Sequence, residues 1–293
     1  MRYKAPMLIG NTPVARLQRV GAGCVYLKLE TFSPNGTYFD RCAKALCDQA
    51  AWPEGTTVYE AGNGALCVAV AAQCAARRWK LQCWLSEDAS IEVRQSLELW
   101  GAKLQLTPFE QGPEGARAEG RKSGRLLSET FPSVRIAVAH EVGRELIATV
   151  KEDGGRIDGF VAGCGSGATL SGVMSELRAA WPGVEGVAVQ PALSPVIDRG
   201  VWRPHRQPGN ASWASVPMLD RTLVSRTMDV TDNEAWEMRA RLGREEGLLV
   251  STASAASVVA AERLAQEKGE GSRIYALVVD TGERDFSLDG FFK

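Results

Sequence analysis

An α/β fold built mainly on parallel sheets is what this sequence predicts, and three observations carry it. Short apolar runs alternate almost from end to end with segments of helical apolar spacing. One such run, 157–162, delivers the chain into Gly163-Cys164-Gly165-Ser166-Gly167, after which a helix begins. The 293 residues, 45% hydrophobic and 24% charged, suffice for one large or two modest domains with a sizeable core.

Taken in order, 24–30 reads as a strand and 37–51 as a helix with apolar positions at helical spacing. Residues 57–59 form a strand, 66–76 an alanine-rich buried helix, 81–85 a strand, 91–100 a helix and 103–107 a strand. The more polar 111–128 reads as an exposed helix, and 135–139 returns to the sheet. The cycle repeats with a helix at 141–150, the strand at 157–162, a helix at 169–180 and a strand at 186–190. Prolines, glycines, Trp202 and Trp213 make 199–217 a long irregular connection. Helices follow at 233–242 and 254–266, and 274–279 is the last buried strand. There is no internal repeat, low-complexity tract or charged tail.

Composition narrows the function. Lys+Arg 34 against Asp+Glu 35 gives a net charge of -1, with no electrostatic footprint for nucleic acid or acidic membranes. No apolar run approaches the ~18 residues of a membrane span, and Met1-Arg2-Tyr3-Lys4 lacks the apolar stretch of a signal peptide. A cytoplasmic protein is the simplest reading. The seven cysteines are odd in number and without C-x-x-C spacing, which favours buried reduced thiols. His140 and His205 are the only histidines and lie far apart, which speaks against a zinc site or a Ser-His-Asp triad.

Spaced motifs carry a family resemblance. Ser33-Pro34-Asn35-Gly36-Thr37-Tyr38-Phe39-Asp40-Arg41 resembles the N-P-x-G-S-x-K-D-R segment of pyridoxal-phosphate (PLP) enzymes of the cysteine synthase and cystathionine β-synthase family. Ile9-Gly10-Asn11-Thr12-Pro13-Val14-Ala15-Arg16-Leu17 resembles that family's opening, and Gly143-Arg144-Glu145-Leu146 its G-P-E-I. Ser90-Ile91-Glu92-Val93-Arg94 with Gly101-Ala102-Lys103-Leu104 resembles its S-x-E-R and G-A-E-L. Gly163 to Thr169 resembles G-x-G-T-G-G-T, and Val279 to Arg284 resembles P-D-S-G-E-R. The resemblance implies fold type II of PLP enzymes, tryptophan synthase β-like: two three-layer α/β domains with the active site in the cleft between them. The smaller domain would span 35–138, and the larger 1–34 with 139–293.

In that family the motif lysine forms the Schiff base with PLP. Phe39 stands at its position and, lacking an amine, cannot form an imine. Lys28 and Lys44 are the nearby lysines, and both read as solvated or ion-paired. The phosphate loop implies cofactor contacts at Gly165, Ser166, Gly167, Ala168 and Thr169, where glycines and a helix N-terminus suit an anion. An ordinary glycine-rich turn with a helix cap is the plainer alternative. Asp280 and Thr281 fall where the family bonds the pyridine nitrogen, and the resemblance implies that Thr281 supplies the family's hydroxyl; a helix cap or turn after the buried strand fits equally well.

The substrate loop, T-S-G-N-T-G in the family, is matched without a gap by Gly62-Asn63-Gly64-Ala65-Leu66-Cys67; a two-residue gap aligns Gly62-Asn63 with its G-N instead. Gly62, Asn63, Gly64 and Ala65 are the substrate-binding positions, though a plain turn fits as well. The family's G-I-G beside the ring is matched by Asn210-Ala211-Ser212, and its S-S-G-A helix start by Ala253-Ser254-Ala255-Ala256, with Ser251 and Thr252 as caps. Asp40, Glu60, His140 and Cys164 are the titratable candidates near the cleft, and no metal site is expected.

These departures describe a rebuilt pocket. The leading reading is a cysteine synthase-like pseudoenzyme, binding or regulatory, with no covalently bound cofactor. PLP or another phosphate or anion can be held noncovalently. The alternative is a lyase or transferase of amino-acid metabolism that uses noncovalent PLP, or no PLP, in the same cleft. Family members are typically dimers and bind a partner's C-terminal peptide in the cleft. The partners implied are therefore a small anion or peptide terminus, a second copy of the chain, or an active paralogue in a hetero-oligomer.

Overall fold

The computed structural model describes residues 8–211 and 215–292. The readings made at Met1 to Lys4, Ser212 and Trp213 lie outside the described residues. The strands are β1 (Val14–Arg16), β2 (Val25–Leu29), β3 (Thr57–Ala61), β4 (Lys80–Ser86), β5 (Lys103–Thr107), β6 (Gly159–Gly163), β7 (Glu185–Pro191), β8 (Arg226–Val230) and β9 (Ile274–Val278). The helices are α1 (Phe39–Ala50), α2 (Gly64–Arg77), α3 (Ile91–Leu99), α4 (Gly112–Ser123), α5 (Leu127–Thr130), α6 (Val134–Glu152), α7 (Ala168–Ala180), α8 (Val196–Arg199), α9 (Asp232–Arg241) and α10 (Thr252–Lys268).

These strands make a six-stranded sheet, order β1-β2-β9-β6-β7-β8, and a three-stranded sheet, order β3-β4-β5. All pairings are parallel except β1 with β2. The α/β expectation holds.

β9 shows why its run is apolar throughout. Ile274, Ala276 and Val278 face the core under α10, while Tyr275 and Leu277 face the opposite core with α6 and α7. Covered on both faces, all five residues are buried. The core around α6 and α7 continues through α1 and α2 to Val58, Leu81, Cys83 and Leu85 of the smaller sheet, so one apolar body joins the two sheets. The seven cysteines are all buried and unpaired, as expected.

Helix starts follow local chemistry. Asn63, Ser90 and Ser251 each cap a helix by accepting a backbone N–H three residues on, and Thr231 forms a reciprocal capping box with Glu234. Ser251 therefore does cap α10, and Thr252 is its first residue.

Two expectations are corrected. Residues 135–139 are not a strand: they open α6, one 19-residue helix that runs through position 138. Its buried Val134, Val138, Val142 and Leu146 have helical spacing, but the run 134–139 alone is too short to separate helix from strand. Nor is 111–128 a single exposed helix. α4 ends before Gly124, whose site has no room for a side chain because a Cβ there would lie 2.6 Å from the Tyr59 ring. Ala116 and Gly120 are buried in the face α4 turns to β3 and β4, with Gly120 against Ala61 and Trp84. The short strand β1 and the polar strand β8 were not anticipated.

A buried ionic network ties the segments around the cleft together. Arg41 meets Glu30 Oε2 and Glu145 Oε1, each at 2.6 Å, and Lys28 Nζ meets Glu145 Oε2 at 2.6 Å. Thr12 Oγ1 donates to Glu30 at 2.7 Å, and Lys28 donates to the Thr12 carbonyl at 2.6 Å. Burial alone would raise the Glu145 pKa, but its bonds from Arg41 and Lys28 hold it at about 2. Glu145→Gln leaves two buried cations facing one carboxylate, and should destabilise the protein by about 3 kcal/mol or more in urea denaturation. The wild-type carboxylate contributes its stability above its unfolded pKa of about 4.3 and loses it as pH falls toward about 2, a window in which the variant's stability should change less.

Candidate functional site

Because the sheets are parallel, their loops gather at the carboxyl ends of the strands. Gly62 follows β3, Ser86 ends β4, Gly163 ends β6 and Asp280 follows β9, and all four border one cleft. The cleft is divided. A cavity of about 150 Å³ is lined by Gly62, Asn63, Gly64 and Ala65 together with Trp202 and His205. A smaller one of about 50 Å³ is lined by Gly165, Ser166, Gly167 and Thr169 with Arg135 and Ser257. Phe39, Asn63, Pro208, Gly209, Asn210 and Asp280 border both cavities and form the partition.

Phe39 is the first residue of α1, its N–H held by Thr37 Oγ1 at 3.1 Å. Its ring meets Tyr38 edge-on, with centroids 5.6 Å apart. Among the described residues, no lysine lines either cavity. Lys28 is buried in the ionic network, and Lys44 sits on the surface 2.7 Å from Asp48. Neither is placed to reach the cleft.

The glycine-rich loop makes the floor of the smaller cavity. Gly167 has a φ of +89°, and a Cβ there would lie 2.7 Å from the Leu219 backbone nitrogen, so only glycine fits. Ser166 Oγ accepts the Ala168 N–H at 3.4 Å. Ala168 itself is buried and does not line the cavity; the remaining four predicted positions do. The loop ends at the N-terminus of the 13-residue α7, a favourable setting for an anion.

Across the cleft, Asn63 Oδ1 accepts the Leu66 N–H at 2.9 Å, which leaves its amide nitrogen at the partition. A gap of two sets this residue opposite the family's loop asparagine, and it is the member of the loop that borders both cavities. Ala65 borders only the larger. Asn210 lies flat against Gly163, where a Cβ would fall 2.0 Å from its Oδ1. Ala211 adopts a φ of +44° and donates its N–H to the Cys164 carbonyl at 2.8 Å.

At the C-terminal end of β9, Thr281 does not line either cavity. Its N–H donates to the Gly36 carbonyl at 3.1 Å, and its methyl fills the space a Gly36 side chain would need. Asp280 takes the cleft position instead. The other titratable candidates are also corrected. Asp40 accepts both the N–H and the side-chain amide of Asn35, and Glu60 is fully buried with Ser128 on its carboxylate. His140 pairs with Glu176 at 2.9 Å, and burial raises the Cys164 thiol to about 12. None of the four lines a cavity.

The groups that do were missed. Asp88, His205, Arg206, Arg284 and Asp285 all border the larger cavity. His205 Nδ1 accepts the Gln207 N–H at 3.2 Å, and burial lowers its pKa, so the ring is neutral at pH 7. Burial raises Asp285 to about 6 against the Thr252 N–H that bonds it. Asp88 comes from the turn between β4 and α3, His205 and Arg206 from the irregular 199–217 connection, and Arg284 and Asp285 from the 3₁₀ segment Gly282–Phe292, where no periodic pattern marks which side chain turns inward.

The comparisons with known proteins agree with this architecture. The family of pyridoxal-phosphate dependent enzymes matches residues 5–280. A cysteine synthase of Staphylococcus aureus is 33% identical over 293 residues, covering 96% of this chain and 94% of that protein. A lysine-to-alanine variant of O-ureido-L-serine synthase, solved with O-ureido-L-serine bound, superposes with a TM-score of 0.90 at 30% identity, covering 100% and 94% of the two chains. A hydrogen sulfide-producing enzyme of Fusobacterium nucleatum gives a TM-score of 0.89 at 25% identity, covering 97% and 99%.

Because Gly167 has both a left-handed backbone and no room for a Cβ, Gly167→Ala should cost about 1–3 kcal/mol. Urea denaturation measures it, with Gly183→Ala, where a Cβ meets nothing within 4 Å, as the control expected to be near neutral.

Proposed function

The chain belongs to the cysteine synthase-like, fold type II family of pyridoxal-phosphate dependent enzymes, and from that premise we propose that it binds its ligands in the cleft without an imine to the protein, as a ligand-binding homologue rather than a conventional cysteine synthase. The observation that carries this reading is Phe39 at the partition, with no lysine among the described residues lining either cavity. An imine needs an amine within bonding reach of the aldehyde, and Phe39 has none.

The residues fit one end of PLP. The loop of Gly165, Ser166, Gly167 and Thr169 suits its phosphate, with glycines that bring the backbone close and the N-terminus of α7 behind them. The aldehyde end would meet an aromatic ring. When bound, the cofactor supplies an electron sink for carbanion chemistry. The chain's own residues hold the phosphate, offer the Asn63 and Asn210 amides at the partition, and present Arg206 and Arg284 in the larger cavity. A small anion or a peptide carboxylate is the second group we assign to that larger cavity. Self-association, or pairing with an active paralogue, belongs to the same proposal.

A second reading is an enzyme that works on noncovalently held PLP. The O-ureido-L-serine synthase variant supports the binding step of this reading, since it holds O-ureido-L-serine with one lysine replaced by alanine.

Absorption spectra of the purified protein with PLP, before and after borohydride, test the proposal. Binding without a stoichiometric reducible adduct on a lysine is expected, and such an adduct mapped to one lysine would overturn it. Spectral change on adding amino acids, without a protein adduct, would favour the second reading. Phe39→Lys should not restore cysteine formation from an activated serine and sulfide, because the substrate loop also lacks the family's hydroxyl pair; substantial activity would show that the rest of the site is intact.

A further inference from the structure

Arg135 is the second residue of α6 and lines the smaller cavity half-buried. Among the described residues it makes no hydrogen bond or ion pair. A cation in the first turn opposes the dipole of its own helix, so nothing local favours it there. Glu60, the carboxylate its charge reaches, is already held by Ser128 and the Ala61 N–H, and Arg117 adds a second cation in range. Tyr38 lines the same cavity at 2% exposure, and its hydroxyl is buried without a hydrogen-bond partner. Burial holds its pKa well above the usual value, while Thr169 and the Arg135 charge act on the same oxygen, so it stays a neutral donor. In the loop, the N–H groups of Gly165, Ser166, Gly167 and Thr169 donate to no protein acceptor among the described residues. A charge and a buried hydroxyl without partners, beside free N–H groups, call for an acceptor-rich anion.

We propose that the smaller cavity is a site for a free tetrahedral oxyanion, clamped by Arg135 and Tyr38 against the glycine-rich loop, which a phosphate ester enters only with lower affinity. This rests on the reading that the cleft holds its ligands noncovalently. Arg135 lies in none of the motifs that carry the family resemblance, and Tyr38 stands at a position those motifs leave open. Size points the same way. The cavity is about 50 Å³, whereas a cavity that holds benzene is about 150 Å³. A bare ion offers oxygens to donors on every side, while an ester must run its organic group past Phe39 and Asn210 at the partition. Asp280 is the one carboxyl among the described lining residues. Burial raises its pKa and Arg284 stands 3.5 Å from its Oδ1, and both weaken its repulsion of an anion. Two sources share this chemistry, hydrogen phosphate and sulfate; the first carries a proton to offer Asp280 and the second carries none.

Calorimetric titration of the full chain with inorganic phosphate, sulfate and phenyl phosphate, in a buffer free of all three, tests this. At least one free oxyanion should bind about tenfold or more tighter than phenyl phosphate. The tighter of the two free ions identifies the source. Arg135→Gln should weaken that ion about tenfold or more, the worth of a charge-assisted hydrogen bond. It should also make binding less sensitive to added sodium chloride. Tyr38→Phe should weaken the ion by about two- to tenfold. Arg135→Lys keeps the charge but loses the planar fork, and should fall between wild type and Arg135→Gln. Circular dichroism confirms that each variant folds, and Arg135→Lys carries the comparison should Arg135→Gln not fold.

Phenyl phosphate binding as tightly as the free ions would overturn the oxyanion class while leaving an anion-binding loop in place. Unchanged affinity in the Arg135 and Tyr38 variants would overturn the clamp. Failure of every anion to bind would overturn the anion-binding reading and this one with it.

Discussion

Arg41 lies two residues after Phe39, and its guanidinium is shared between Glu30 from the turn after β2 and Glu145 from α6. Lys28 of β2 closes the group through Glu145. Two cations and two carboxylates that are largely out of water stay neutral only while β2, α1 and α6 keep their positions. Any slip of α1 would strand a charge, which costs more than most packing defects. The beginning of α1 is thereby pinned, and with it the direction in which Phe39 enters the cleft. The partition between the two cavities is a consequence of this network as much as of the aromatic ring.

Around that fixed point the cleft is shaped by close backbone approaches. Gly167 against Leu219, Gly163 against Asn210 and Gly36 against Thr281 each allow two segments to meet where a Cβ would intrude. The smaller cavity keeps a setting suited to an anion, with a strand, a glycine-rich turn and the N-terminus of α7 in sequence. The partition beside it is furnished with amides, a ring and a carboxylate, and no lysine lines it among the described residues. One half of the cleft is thus a glycine-rich turn at a helix N-terminus, while the other offers hydrogen bonds and charge.

The parts of the fold that were legible are those where burial writes a period into the chain. β9 and β6 are covered on both faces and read as apolar runs, and α7 and α10 show helical spacing with a recognisable start. The start of α6 was not legible because Val134 to Ala139 carries apolar residues in a stretch too short to distinguish the two periods. β8 was missed because it is a polar edge strand, with four of its five residues not buried. At the site, Gly165, Ser166, Gly167 and Thr169, named from a strand-turn-helix pattern, do line the smaller cavity, whereas Asp88, His205 and Arg284, which line the larger one, were not singled out. Their loops have no period, and nothing local distinguishes an inward side chain from an outward one.

The sequence by itself determined the α/β class, the family, the glycine-rich turn and the presence of Phe39, since each is set by residue identity and near-neighbour spacing. Only the tertiary structure decided that Asp280 rather than Thr281 faces the cleft. Adjacent residues leaving a strand point in opposite directions, and here Thr281 is turned toward Gly36 while Asp280 is left at the partition. The same holds for the two cavities. Their shared wall joins residues from α1, the β3–α2 loop, the 199–217 connection and the end of β9, which meet only once both sheets are packed on their common core.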